Sequence, residues 1–164
     1  MKRVKLDRID MRILQTLQEQ GRITNVELAK KAGISAPPCL RRVKALEEAG
    51  FIKSYHAELA AEKLGYGITV FTQVNLSSHY DSDLDEFRAL IKSWPMVREC
   101  YLVTGDCDAL LKVVAESWEN YQKFLTAQLM TAPRVTQVKS TLTLKVEKYE
   151  PGIPMSESAL KGKH

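Results

Sequence analysis

The sequence predicts an α+β protein, in which an N-terminal helix-turn-helix domain of the winged-helix-like kind precedes a ferredoxin-like βαββαβ domain. Apolar residues recur at helical spacing in three segments before Gly50, and a tight turn joins the last two. After Gly67 the periodicity follows the order β-α-β-β-α-β, which is the ferredoxin-like arrangement. Residues 1–65 carry thirteen Lys and Arg against eight Asp and Glu, whereas the remainder carries eleven against twelve. This basic first half predicts a polyanionic partner for that half alone.

Composition limits the class of protein. The 164 residues are 45% hydrophobic and 27% charged, as in a folded globular protein rather than a disordered one. No apolar run approaches the ~20 residues that span a bilayer, and no apolar segment follows the basic N-terminus as in a secretory signal. The three cysteines, an odd count with no CxxC pair, indicate reduced thiols. We therefore expect a cytoplasmic protein with no membrane partner.

The first two helices are predicted from spacing and from their caps. In the first, Asp7 is the expected N-cap and Gly21 lies just past the end. Its apolar positions are Leu6, Ile9, Ile13, Leu14 and Leu17. The second opens with Thr24 and Glu27, whose side chains can satisfy each other's backbone N–H groups in a capping box. It should end at Gly33, where the chain takes a left-handed turn.

The third helix is predicted over residues 34–50. Its expected buried stripe is Leu40, Val43 and Leu46. A residue before proline avoids the α region, so Pro37 should be the last non-helical residue and Pro38 the first helical one. Neither proline has an N–H group, and the Ser35 hydroxyl should therefore have nothing to cap.

The second and third helices form a candidate DNA-binding motif. The third carries Arg41, Arg42 and Lys44 on its polar side, as a recognition helix in the major groove does. An uncapped Ser35 hydroxyl would be free for a DNA phosphate. The alternative is a three-helix module that packs only against protein, because basic helix faces are often merely solvated. The agreement between the caps, the central glycine and the clustered arginines favours DNA.

Two segments connect the halves of the chain. Residues 51–57 alternate like a strand and predict either a wing or a connector, and Leu64–Gly67 holds two glycines in three residues. The predicted organisation is a helix-turn-helix domain at 1–53, a connecting strand and linker at 54–67, a ferredoxin-like domain at 68–150 and a polar tail at 151–164.

The second half supplies four predicted strands, at 68–76, 97–103, 109–115 and 138–146, and two helices that stop before Pro95 and Pro133. The apolar positions of the helices are Leu84, Phe87, Leu90, Ile91 and Trp94, then Trp118, Tyr121, Phe124, Leu125 and Leu129. Helices on one face of such a sheet leave the other face and the edges to pair with a second copy. A homodimer would also let two helix-turn-helix motifs read half-sites about one DNA turn (~34 Å) apart.

The turn Gly105-Asp-Cys-Asp108 puts two carboxylates and a glycine in one bend. Glycine permits close backbone approach, and a carboxylate there could hold a ligand ammonium group. From spacing alone, an ordinary polar hairpin turn is the preferred interpretation.

Taken together, these residues resemble the leucine-responsive regulatory protein (Lrp/AsnC) family of transcription regulators. The matching segments are LDRIDMRIL, GRITNVELAKKAGIS, PCLRRVKALEEAGFI and ECYLVTGDCDALLKV, and the resemblance runs from Leu6 to about Lys148. It implies a DNA-binding domain and a ligand-sensing domain, dimers that assemble further into tetramers or octamers, and an amino-acid effector bound between dimers near a GDxD turn. It implies no cofactor and no metal.

The resemblance also carries residue roles onto this sequence. The candidate effector-binding residues are Gly105, Asp106, Asp108, Met130, Thr141, Leu142 and Thr143. The candidate contacts to double-stranded DNA are Asn25, Lys30, Lys31, Ser35, Pro37, Pro38, Arg41, Arg42 and Lys44. Two departures bear on them: family members often have Ser or Thr where this chain has Pro37, and often an aromatic residue where it has Cys107.

An enzyme is the main alternative. Proteins resembling this family include tetrapyrrole (sirohaem) decarboxylases with the same two-domain plan, which use histidines near the cofactor. Here His56, His79 and His164 are scattered, and the spacing shows neither a nucleophile–base pair nor a metal-ligand set. We therefore expect no enzymatic activity. Cys39 begins the third helix, where a redox switch is one interpretation and inward packing the preferred one.

Overall fold

The computed structural model describes residues 6–78 and 80–155, which form two compact units. One unit consists of the described residues up to Glu58 together with those from Lys148 onward, and the other is Leu59–Glu147. His79, His164 and positions 156–164 of the predicted tail lie outside the described residues. No helix in the described ranges is long and apolar enough to cross a membrane.

The first unit begins with two helices whose caps confirm the sequence prediction. Helix α1 is Arg8–Glu19, and the Asp7 carboxylate accepts from the backbone of Ile9 and Asp10 while Asp10 accepts from the backbone of Asp7. Helix α2 is Asn25–Ala32 and has the predicted Thr24–Glu27 capping box. It ends at Gly33, whose φ of 77° is the left-handed conformation that favours glycine.

Helix α3 is Ala36–Glu48, and its start corrects the sequence prediction. Pro37 and Pro38 both lie in the first turn, so Pro37 is helical. The first N–H groups of a helix have no intrahelical acceptor, and prolines there forfeit no hydrogen bond.

The predicted buried stripe of α3 was also wrong at one position. Leu40 is 45% exposed, and Cys39, with no exposed surface, takes its place in the core beside Leu46. The buried core of this unit consists of Ile13, Leu28, Ala29, Ala32, Cys39 and Leu46.

The segment that follows α3 contains no strand. Residues 52–60 are irregular where alternation predicted a strand over 51–57, and a 3₁₀ turn follows at Ala61–Leu64. Gly65 ends that turn with a φ of 84°.

The second unit is a four-stranded sheet with two helical segments, as predicted. Its elements are β1 (Ile68–Leu76), α4 (Asp81–Ser93), β2 (Val97–Leu102), β3 (Ala109–Ala115), α5 (Trp118–Phe124) with a π-helical turn at Leu125–Leu129, and β4 (Val135–Leu142). The strand order is β2-β3-β1-β4 and every neighbouring pair is antiparallel, which is the ferredoxin-like topology. Strand β4 ends at Leu142 rather than continuing to Val146, and Leu144 beyond it is 96% exposed.

The helices pack on one face of this sheet. Alternate residues of β1 and β3 are buried, and the rings of Trp94 and Phe124 meet edge to face with centroids 5.4 Å apart. Trp118 was expected in the core but is 39% exposed, because it occupies the first position of α5.

The C-terminal segment of the described chain contacts α1. The side-chain amide of Gln18 donates to the carbonyl of Ile153 at 2.9 Å and accepts from its N–H at 3.0 Å. Gly152 precedes this contact with a φ of 103°, and a Cβ atom there would overlap the Gln18 amide. We call residues 148–155 the C-terminal strap.

Candidate DNA-binding face and effector-binding turn

The outer face of α3 is basic and open. Pro37, Arg41 and Lys44 are exposed, and their spacing of three and four residues places them on one side of the helix. Within the described ranges, the side chains of Arg41 and Lys44 make no hydrogen bond or ion pair. The first turn of α3 contains no acidic residue. This face therefore presents positive charge to any polyanion that approaches it.

The Ser35 hydroxyl is placed as the sequence predicted. Ser35 is the N-cap of α3 and its carbonyl accepts from the N–H of Cys39 at 3.2 Å, but its side chain makes no capping hydrogen bond. The prolines in the first turn explain this, because neither offers an N–H group. The exposed hydroxyl stands beside the basic face.

Arg42 faces inward, unlike its neighbour. Its Nη1 atom lies 2.6 Å from Oδ1 of Asp10 and 2.8 Å from Oδ2 of Asp7, so it joins α3 to the start of α1. Burial alone would raise the pKa of the Asp7 carboxyl, but the backbone N–H of Asp10 and the Arg42 guanidinium together lower it. The hydrogen bonds that Arg42 donates to Asp10 and Asp7 raise the pKa of its guanidinium group. The structure therefore engages Arg42 within the unit, whereas the sequence had grouped it with the DNA contacts.

Asn25 joins the two helices of the motif. Its amide nitrogen donates to the carbonyl of Ala36 at 2.9 Å. Its Oδ1 atom is buried and has no partner among the described residues. This geometry holds the first residue of α2 against the first turn of α3.

The end of α2 carries further positive charge. Lys30 and Lys31 are exposed in its last turn, and Lys31 donates from Nζ to Oε1 of Gln20 at 2.8 Å. Both line a shallow open depression together with Arg22, which is not among the DNA contacts proposed from the sequence. Its position in the loop before Thr24, in a basic segment, was the available signal.

Cys39 is fully buried. Burial raises the pKa of its thiol, and the Arg42 charge offsets this only in part. A buried thiol with a raised pKa is a poor nucleophile, which favours the packing interpretation over a redox switch.

The Gly105–Asp108 turn joins β2 to β3 and is fastened at its second carboxylate. Oδ2 of Asp108 accepts from the N–H of Leu76 at 2.7 Å, and the Asp108 N–H donates to the carbonyl of Val74 at 3.0 Å. Asp106 is exposed, and Gly105 has a φ of 122°. Asp108 therefore shapes the turn, whereas Asp106 presents its carboxylate outward.

The other predicted effector residues lie at two ends of the sheet. Leu142 pairs with Val70 near the start of β1, whereas the Asp108 turn bonds to its end at Leu76. Six residues of strand separate these positions by about 20 Å, at about 3.3 Å per residue. Met130 is 57% exposed and precedes β4, whose first residue pairs with Leu76, so it lies at the end with the turn.

Thr141, Leu142 and Thr143 form the far end of β4 and the residue after it. Thr141 and Leu142 are exposed, and Thr143 is half-buried. Thr143 donates its N–H to the carbonyl of Thr69 at 2.9 Å, while its buried Oγ1 has no partner among the described residues. Within one chain, this segment and the Gly105–Asp108 turn do not meet.

Comparison with known proteins identifies the domain to which each unit belongs. Residues 6–53 match a winged helix-turn-helix DNA-binding domain, and residues 69–153 match the Lrp/AsnC ligand binding domain. The leucine-responsive regulatory protein of Rhizobium meliloti is 50% identical over 143 residues, 87% of this chain and 92% of that protein. The transcriptional regulator AzlB of Bacillus subtilis is 37% identical over 154 residues, 94% and 98% of the two chains.

Solved structures show the same architecture. A transcriptional regulator of Neisseria meningitidis, crystallised as a complex with L-Met, superposes with a TM-score of 0.87 at 36% identity and covers 91% of this chain and 96% of that one. These matches span both units, and the relatives are named as regulators rather than enzymes. The chain therefore belongs to the Lrp/AsnC family of transcription regulators, with a helix-turn-helix DNA-binding domain and a ligand-binding domain.

Proposed function

We propose that this regulator binds operator DNA through the outer face of α3 and responds to an amino acid held by its second unit. The main support for DNA binding is that Arg41 and Lys44 are both exposed on one face of α3, whose first turn contains no acidic residue. Lys30 and Lys31 would contact the backbone nearby, together with the Ser35 hydroxyl. Arg42 and Asn25 position α3 rather than touch DNA.

The prolines of α3 limit which groups can contact a phosphate at the start of this helix. Pro37 is exposed and Pro38 is half-buried, and neither can donate an N–H group to a phosphate. The phosphate contact at this end of the helix therefore falls to Ser35 and to the cationic side chains.

An amino-acid effector needs both of its charges met. We assign the ammonium group to Asp106, because its carboxylate is exposed while Asp108 already bonds to the backbone of Leu76. Backbone N–H groups near Gly105 or a partner subunit would take the carboxylate. The L-Met complex of the Neisseria regulator supports a ligand of this class.

The remaining candidate residues reach this ligand only from a second copy. Thr141, Leu142 and Thr143 lie at the opposite end of β1 from the Gly105–Asp108 turn. We infer that the effector sits where subunits meet, with Met130 and the turn from one subunit and the end of β4 from another. Ligand binding would then shift the population of assemblies, typically by ~1–3 kcal/mol of coupling.

A homodimer is the proposed smallest assembly. Phe71 and Tyr101 are 39% and 53% exposed on the face of the sheet opposite the helices, and β2 and β4 are edge strands. Glu99 and Lys112 on the same face neutralise each other at 2.8 Å, so the face is not strongly charged. Further assembly into tetramers or octamers would bring the effector residues together. The site of action would be the cytoplasm, where the DNA lies.

The test is fluorescence anisotropy on DNA from upstream of the protein's own gene, repeated with each common amino acid. One amino acid should shift the binding curve of the wild type. Asp106→Asn should bind DNA with unchanged affinity and lose that shift. Glu86→Gln, which removes an exposed carboxylate from the same unit, is the matched control and should keep it. If Asp106→Asn responds like the wild type, the ammonium assignment is wrong; if no DNA binds at any salt concentration, the DNA assignment is wrong.

A further inference from the structure

Leu40 is an apolar side chain on the outer surface of the recognition helix. It is 45% exposed, whereas the helix packs inward through Cys39 and Leu46. It lies three residues after Pro37 and four before Lys44, so it borders the basic face. Leu40 therefore lies outside the core of the unit, and its position allows it to contact another molecule.

The charged residues around Leu40 indicate that this other molecule is a nucleic acid. Arg41 follows it directly and Lys44 lies one turn on, both exposed. The acidic residues of α3 are confined to its last turn, where Glu47 accepts a hydrogen bond from the Tyr55 hydroxyl at 2.9 Å. The first two turns are therefore the part of α3 that can approach a polyanion closely, and in helix-turn-helix proteins these turns meet the base edges.

A leucine can read only one group in the major groove. Thymine presents its C5-methyl there, the one alkyl group on the base edges, while the polar groups of the other bases are hydrogen-bond donors and acceptors. Leucine packed against a cytosine amino group or a guanine oxygen would deprive that group of its hydrogen-bond partner. Packed against thymine, it buries methyl against methyl.

We infer that Leu40 is a specificity-determining residue that contacts the C5-methyl of one thymine in each half-site. This inference rests on the proposed binding of DNA through α3. It assigns discrimination at a T·A pair to Leu40, while Arg41 and Lys44 supply affinity through charge.

The test replaces thymine by deoxyuridine, one position at a time, in a bound operator fragment from upstream of the gene. This removes the methyl group and leaves every hydrogen-bonding group in place. At one symmetric pair of positions the wild type should lose about fourfold in affinity per site, the factor for one buried methyl group. Leu40→Ala should bind the thymine operator more weakly than the wild type does, by a similar factor. Replacing that thymine by uracil should not weaken the binding of Leu40→Ala any further.

Two variants control this experiment. Leu40→Met keeps a long apolar side chain and should keep the preference for thymine over uracil. Val26→Ala shortens another exposed apolar residue, 70% exposed at the start of α2, and should also keep it. Thermal unfolding should show Leu40→Ala to be folded, since the side chain is half exposed.

The inference is overturned if the wild type tolerates uracil at every position, or if Leu40→Ala still prefers thymine at the sensitive one. Either result leaves salt-dependent binding by the wild type intact, so the proposed function would stand. Absence of DNA binding by the wild type would instead remove the proposed function and this inference with it.

Discussion

Arg41 and Arg42 are sequence neighbours with different partners. A step of one residue turns a side chain by about 100° around a helix. Arg41 thus points outward, while Arg42 reaches Asp7 and Asp10 at the start of α1. The Asp7 carboxylate also caps α1. One carboxylate therefore stabilises the first turn of α1 and holds α3 against it through Arg42.

Arg42→Ala should destabilise the first unit by about 1 kcal/mol at neutral pH, allowing for solvent screening of this half-exposed pair. The lowered pKa of Asp7 means that its contribution is complete above the ordinary aspartate value and is lost as the pH falls through the lowered one. The difference between wild type and variant should therefore shrink below about pH 4. Thermal unfolding between pH 3 and 7 measures this. Arg41→Ala is the control, and equal stability of the two variants at pH 7 would contradict the role given to Arg42.

At the level of elements, three hydroxyl groups connect two strands and a helix of the second unit. The hydroxyl of Tyr121 on α5 bonds to Thr72 Oγ1 at 2.9 Å and also to Oγ of Ser140. Thr72 and Ser140 are paired across β1 and β4. Both Thr72 and Tyr121 are fully buried, so this small network fixes α5 over the junction of the two strands.

Tyr121→Phe should cost about 1–3 kcal/mol, because it leaves the buried Thr72 hydroxyl without its partner. Adding Thr72→Val, which replaces that hydroxyl by a methyl group, should recover much of the loss. Urea unfolding of the two variants and the wild type measures both effects. A double variant no more stable than Tyr121→Phe would show that the cost comes from packing rather than from the hydroxyl.

Elements governed by local signals could be predicted, and those set by tertiary partners could not. The caps at Asp7, Thr24 and Gly33 depend on residues at most four positions away, and each prediction was confirmed. The segment 51–57 has the alternation of a strand, but among the described residues no neighbouring strand pairs with it. Leucine spacing likewise put Leu40 in the core, because it cannot reveal that the smaller Cys39 fits the space beneath α3.

For the whole molecule, binding should respond to salt as a sum of ionic contacts. Each phosphate contact that is lost should lower the slope of log K against log salt by about 0.9. Arg41→Ala should show this reduction. Arg42→Ala should keep the wild-type slope, since Asp7 and Asp10 already hold that charge. Anisotropy titrations at four or more salt concentrations measure the slopes. A reduced slope for Arg42→Ala would show that Arg42 contacts a phosphate after all.

Candidate effector-binding residues could be proposed from the sequence, but their positions relative to one another in the sheet could not. Comparison with the family's motifs names both Asp106 and Thr141 as candidates. It does not reveal that the two residues lie beside opposite ends of β1. The pairing of Leu142 with Val70, set against the bond from Leu76 to Asp108, places them at opposite ends of the sheet. The proposed effector site would therefore need residues from more than one subunit.

The C-terminal strap makes the DNA-binding unit discontinuous in sequence. Its parts are residues up to Glu58 and residues from Lys148, and the ligand-binding unit is inserted between them. A fragment cut after Glu58 would keep all three helices yet leave the Gln18 amide without the Ile153 backbone that it clasps. A fragment that also includes residues 148–155 would keep the hydrogen bonds between Gln18 and Ile153. Any exchange of the ligand-binding unit for another domain would therefore have to keep two separate segments of this chain rather than the N-terminal segment alone.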